Sequence, residues 1–171
     1  MKTLIISSSL SKNSRSFLLC QYVNKKLISK GYNTEIIDSR EIPMQPCHLE
    51  KTHEMKELEM KIDKCDNIII GMGVHCYSIN DSLKILLDSC FSKAIGKFYG
   101  ILCAAGGEKS FLSTMHLSQI CMNEWHMIQL PRIVYATKND FDENEISSKE
   151  LIARIEMFTN DFLTIGEKLS D

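Results

Sequence analysis

Asn67-Ile68-Ile69-Ile70-Gly71-Met72 is the most apolar stretch of this chain. Three consecutive isoleucines leave no in/out alternation, so a strand here must be covered on both faces. A strand covered on both faces belongs to a parallel sheet flanked by helices. Four further segments read as strands: TLIIS (3–7), NTEIID (33–38), FYGILCA (98–104) and HMIQLPRIVYA (126–136). Pro131 lies inside the last and cannot donate to a ladder, which places that strand at a sheet edge.

Helical patterns fill the gaps. Phe17, Cys20, Val23 and Leu27 recur at helical spacing within 14–30, and Gly31 follows as a stop. Met55, Leu58, Ile62 and Cys65 mark an amphipathic helix of alternating charges. Leu83, Leu86, Leu87, Cys90 and Phe91 share the face of another, and 109–124 is helical with weaker periodicity. Ser147-x-x-Glu150 reads as a capping box opening a final helix, with Leu151, Ile155, Phe158, Phe162 and Ile165 on its core face. Five strands alternating with helices, joined by right-handed crossovers, give the flavodoxin-like order 2-1-3-4-5 in a three-layer α/β sandwich. No linker or repeat divides the chain, so residues 1–171 read as one domain.

Composition narrows the partners. The net charge is -2, from 20 basic and 22 acidic residues, which offers neither nucleic acid nor an anionic membrane a basic surface. No apolar run approaches the roughly 20 residues a membrane helix needs. The apolar run Leu4 to Ile6 is too short for a signal peptide, so the cytoplasm is expected. The seven cysteines contain no CxxC pattern and read as free thiols, most of them buried. No metal site is expected: Cys47, His48 and His53 lack a suitably spaced fourth ligand.

The strand order brings three loops to one sheet edge, where open α/β folds bind ligands. The first carries Ser8, Ser9, Ser11, Ser14, Arg15 and Ser16 into a helix N-terminus. Free amides, the helix dipole and five hydroxyls favour a phosphate there, with Lys12 and Arg15 as counter-charges. The same serines also suit a plain turn and N-cap. The second loop is Met72 to Ser78. His75 reads as a surface or structural histidine or as a site residue, Cys76 as the thiol to test for reactivity, and Tyr77 as a loop anchor or a ring-stacking residue. The third is Ala104-Ala105-Gly106-Gly107, either a simple turn or a place where backbone amides approach a ligand.

At these loops the chain resembles the NADPH-dependent FMN reductases. Their phosphate loop is close to G-S-x-R-x-x-S-x-N. Ser9 and Ser14 match its serines, while Ser8, Ser11 and Ser16 stand at its Gly, Arg and Asn. After strand 3 the family carries T-P-x-Y-x-x-S-x-x-x-L-K-x-x-[LI]-D. Ser78 falls at that spacing, and Leu83, Lys84 and Asp88 keep the pattern's Leu-Lys-to-Asp spacing one residue further on, with Gly73 at the Pro and His75 at the Tyr. The resemblance implies non-covalent FMN, with Ser9, Ser14 and Ser16 on the phosphate. It sets Gly73, Val74, His75 and Cys76, and Ala105, Gly106 and Gly107, around the flavin ring. It implies NAD(P)H as co-substrate and a quinone, azo dye, nitro compound, metal ion or free flavin as acceptor. It also implies a homodimer or homotetramer. No side chain is expected to act as acid or base, since the cofactor carries the chemistry. The alternatives are a flavodoxin-type electron carrier, disfavoured by the near-neutral charge, and a flavin-binding protein without turnover.

Overall fold

The computed structural model describes residues 1–143 and 145–170. Strands β1 (Lys2–Ser7), β2 (Asn33–Asp38) and β3 (Asn67–His75) are parallel and in the order β2-β1-β3. β4 (Ser78–Ile79) folds back on β3, and β5 (Phe98–Ala104) continues the parallel sheet on the other side of β3. β6 (Ile128–Gln129) and β7 (Val134–Ala136) both pair with β5 in parallel. Read along the sheet, this is the expected 2-1-3-4-5 order.

Each isoleucine of β3 serves a layer of helices. Ile68 and Ile70, with Leu4 and Ile6, face α2 (His53–Lys64), α3 (Asp81–Cys90) and α4 (Ser113–Trp125) through Leu58, Ile62, Leu86 and Leu117. Ile69 and Ile5 face α1 (Arg15–Ser29) and α5 (Lys149–Ser170) through Leu19, Val23, Ile155 and Phe158. Ile68, Ile69 and Ile70 are fully buried, and each contributes roughly 1.5–3 kcal/mol of burial. Gly71 sets how closely α1 lies on β3: a Cβ there would stand 2.2 Å from Cys20 Sγ and 3.4 Å from the Ser16 carbonyl oxygen. Five cysteines are buried, and Cys47 and Cys76 are exposed.

Four local features depart from the sequence reading. β3 does not stop at Met72; it runs to His75 and turns into β4, with Val74 opposite Ile79 and His75 opposite Ser78. The fifth strand is two short pieces, because Pro131 interrupts it; the pieces take opposite ends of β5. The last helix is capped by Ser148, whose Oγ accepts from Leu151 N–H at 3.1 Å, one residue beyond the expected Ser147. A hairpin of β8 (Phe141–Asp142) and β9 (Glu145–Ile146) precedes that helix and carried no turn signal strong enough to announce it.

Candidate cofactor site

The first loop leaves β1 and enters α1. Its serines divide into two groups. Ser8 is fully buried, its Oγ donating to the Gly71 carbonyl at 2.8 Å and lying 3.0 Å from Asn80 Oδ1. Ser14 is the N-cap of α1, its Oγ accepting from Phe17 N–H at 3.1 Å and lying 3.0 Å from Ser16 Oγ. Ser9 and Ser11 stay toward solvent. Ser9 Oγ accepts from Ser11 N–H at 3.3 Å, which leaves the Ser9 O–H to donate outward. The first turn of α1 holds no acidic residue, so nothing offsets the positive end of its dipole.

Arg40 braces this loop from outside. Its Nη1 donates to the Lys12 carbonyl at 3.1 Å, its guanidinium lies 4.5 Å from the Phe17 ring centroid, and its Nε is 2.9 Å from both Asp38 oxygens. Burial would raise the Asp38 carboxyl pKa, but the Arg40 guanidinium outweighs it and holds the group below the ordinary carboxylate value. Arg15 is exposed, 5.9 Å from the Phe141 ring centroid.

The second loop is a tight hairpin. Cys76 and Tyr77 form its tip, both at positive φ (48° and 60°). His75 Nδ1 sits 3.4 Å from Asp81 Oδ1, and Ser78 Oγ is 2.9 Å from His116 Nδ1 on α4. In the third loop Ala105 N–H donates to the Ala136 carbonyl at 2.8 Å, and Tyr135 O–H donates to the Gly107 carbonyl at 2.6 Å.

Asn80 joins the first two loops. It is 1% exposed, and its Nδ2 lies 3.0 Å from the Ser8 carbonyl and 2.7 Å from Ser82 Oγ. Its Oδ1 accepts from Gly73 N–H at 3.1 Å. It occupies the N-cap position of α3, yet its side chain makes no cap bond there. The sequence reading missed it because an Asn before a helix looks like an ordinary cap.

The three loops meet in a cleft of about 180 Å³. Of the expected residues it is lined by Ser9, Ser11, Ser14, Arg15, Ser16, Gly73, Val74, His75, Ala105 and Gly106. Ala104, the first residue of the expected third loop, joins them, as does Asn13, which was not singled out. Ser8 is outside the lining because its side chain is turned into the fold, while Cys76 and Tyr77 extend beyond it on the hairpin tip, and Gly107 follows one residue later. A larger cleft, about 800 Å³, lies between α3, α4 and Cys47. Size favours that one, but only the smaller gathers hydroxyls, strand-end amides and a helix N-terminus.

The smaller cleft fits a phosphate-bearing planar cofactor. Gly73, Gly106 and Gly107 have nothing within 4 Å of where a Cβ would stand, so their backbone is open to a flat ring. The hydroxyls at the N-terminus of α1 suit a dianion.

No curated protein matches the chain by sequence. Among solved structures, an oxidoreductase from Corynebacterium diphtheriae is 18% identical, with a TM-score of 0.77 and 98% of each chain covered. A flavoenzyme NAD(P)H:acceptor oxidoreductase from Paracoccus denitrificans is 13% identical, with a TM-score of 0.75 over 98% of this chain and 97% of that one. A flavodoxin from the domain Archaea is 14% identical, with a TM-score of 0.66 over 100% of both. At such identities these structures share the fold. The profile of the NADPH-dependent FMN reductases matches residues 1–142, which span all three loops. The chain therefore belongs to the NADPH-dependent FMN reductase family, an oxidoreductase with FMN as cofactor and NAD(P)H as co-substrate.

Proposed function

We propose that this chain, as one FMN-binding domain, reduces a small-molecule acceptor (a quinone, azo dye, nitro compound, metal ion or free flavin) at the expense of NAD(P)H. The observation that carries the reading is the convergence of three strand-end loops in one cleft at the N-terminus of α1. The chemistry supplied by bound FMN is acceptance of hydride from NAD(P)H and release of electrons to the acceptor.

The residues then have distinct tasks. Ser9, Ser11 and Asn13 donate to the phosphate from the solvent side, together with the first amides of α1. Ser14 and Ser16 lie beneath them and fix the turn; Ser8 fixes the loop to β3 without touching the cofactor. Arg15 is the positive charge lining the cleft, which Lys12 does not line. Gly73, Val74 and His75 border one side of the ring, and Ala105, Gly106 and Gly107 the other. Backbone N–H groups near the pyrimidine edge stabilise negative charge there and so favour the reduced form.

A solved neighbour with a TM-score of 0.82 holds a riboflavin phosphate derivative, which supports a flavin phosphate on this scaffold. Among the described residues no helix is long and apolar enough to cross a membrane, in keeping with a cytoplasmic setting. We expect a homodimer or homotetramer, since a second copy would help cover an open cleft. The decisive experiment titrates purified protein with FMN and follows NAD(P)H oxidation with a quinone. Binding that quenches FMN fluorescence, with turnover dependent on FMN, is expected. FMN that neither binds nor supports oxidation sinks the proposal.

A further inference from the structure

Tyr77 sits where stability alone would not put it. A two-residue hairpin turn with both central residues at positive φ is the setting for Asn-Gly, because glycine has no Cβ to clash. Here the two positions are Cys76 and Tyr77. A bulky aromatic side chain is thus held in left-handed backbone, and it is 65% exposed, so burial returns little for the strain.

The strained tip is not loose. Gly73 N–H is anchored on Asn80, His75 faces Asp81, and Ser78 is tied to His116. That last contact sets α4 beside the hairpin. Met115, at 54% exposure, lies on the same first turn of α4 as His116, and Leu112, at 73%, is that helix's N-cap. His75, two residues before Tyr77, lines the three-loop cleft. An exposed aromatic side chain therefore stands on a braced hairpin, two residues past the cleft-lining His75, with α4 tied to the same hairpin through Ser78.

The geometry points to Tyr77 as the binding residue for planar aromatic acceptors, with the ring of a quinone stacking on it as it enters over the cofactor. This inference rests on the function proposed above and narrows its acceptor to a flat, apolar class. The reaction balances without another reactant: the quinone gains two electrons and two protons, NAD(P)H gives up hydride, and solvent supplies the remaining proton. Stacking favours flat rings and gives a hydrated inorganic anion no comparable hold.

The test compares Tyr77→Gly and Tyr77→Phe in the full, FMN-loaded chain. Acceptors are a two-ring naphthoquinone and ferricyanide; 2-naphthol, planar and not reducible here, is titrated calorimetrically as a reading free of turnover. In Tyr77→Gly the KM for naphthoquinone and the Kd for naphthol should both rise about tenfold, the scale of one aromatic contact. kcat, KM for ferricyanide and Kd for FMN should stay within about twofold, and Tyr77→Phe should behave as the parent. The inference is overturned by a naphthoquinone KM within twofold in Tyr77→Gly. It is equally overturned by a matching rise for ferricyanide, or by a change of oligomeric state that puts the ring against a second copy. A parent chain that oxidises NAD(P)H with neither acceptor defeats the proposed function, and this inference with it; failure of the Tyr77 dependence alone leaves that function standing.

Discussion

The serine loop and the β3–β4 hairpin leave neighbouring strands at the same sheet edge, yet they are built on opposite terms. The serine loop, residues 8–16, contains no residue at positive φ. Its inward hydroxyls are bonded to the fold and its outward ones are free to meet a ligand. The hairpin carries two bulky residues in left-handed backbone and presents shape rather than donors. One loop is relaxed and polar; the other is strained and braced. The lesson is that a loop offering hydrogen bonds needs correctly aimed groups, whereas one offering a surface needs rigid support.

The largest expected effect breaks both loops together. Asn80→Ala removes contacts to Ser8, Ser82 and Gly73 inside the fold. Because buried partners are left unsatisfied, unfolding free energy should fall by roughly 3 kcal/mol or more, measured by urea denaturation. A loss under about 1 kcal/mol would show that the loops are held independently.

Next, the paired change Ser9→Ala, Ser11→Ala should weaken FMN binding by about 1–3 kcal/mol at nearly unchanged stability. Ser14→Ala should instead cost about 1 kcal/mol of stability, since its Oγ caps α1 at Phe17. Fluorescence titration and thermal melts separate the two groups; an unchanged affinity in the pair would place the phosphate elsewhere.

Opposite in sign, Cys76→Asn with Tyr77→Gly should stabilise the chain by about 1–2 kcal/mol, raising Tm. A lower Tm would mean that the tip packs in a way its exposure does not show.

The smallest effect is acid sensitivity of the serine-loop brace. The folded Asp38 carboxyl titrates below its unfolded value, so its contribution is present above the unfolded pKa, about 3.9. It is lost as pH falls through the lower folded value. Asp38→Asn should flatten the stability profile in that acid range by under about 1 kcal/mol, as expected of a partly exposed pair. An unaltered profile would show that Arg40 holds Lys12 without it.

The fold was legible because Ile68, Ile69 and Ile70 demand cover on both faces, and a layer of helices on each side, five helices in all, follows from that demand. The meeting of the three loops was legible from strand order. What lay hidden was orientation. Nothing in a row of serines tells that Ser8 turns inward while Ser9 turns outward, because that depends on where Gly71 and Asn80 sit across the sheet. The hairpin was hidden for a different reason: Cys-Tyr is a poor turn sequence, and the turn is imposed by its braces. Arg40 and Asn80, the residues that hold the first loop, are distant from it in sequence and became visible only through pairing.

The buried thiols have a consequence for the durability of such a protein. A reduced flavin exposed to oxygen releases peroxide, and peroxide attacks thiolate rather than thiol. Burial pushes Cys20, Cys103 and Cys121 up to about 12, and Cys65 and Cys90 up to about 11. At neutral pH these five sulfurs stay protonated and shielded, so the core is inert toward the by-product of its own redox cycle. Thiol oxidation is thereby directed to the exposed Cys47 and Cys76, outside the packing of the sheet.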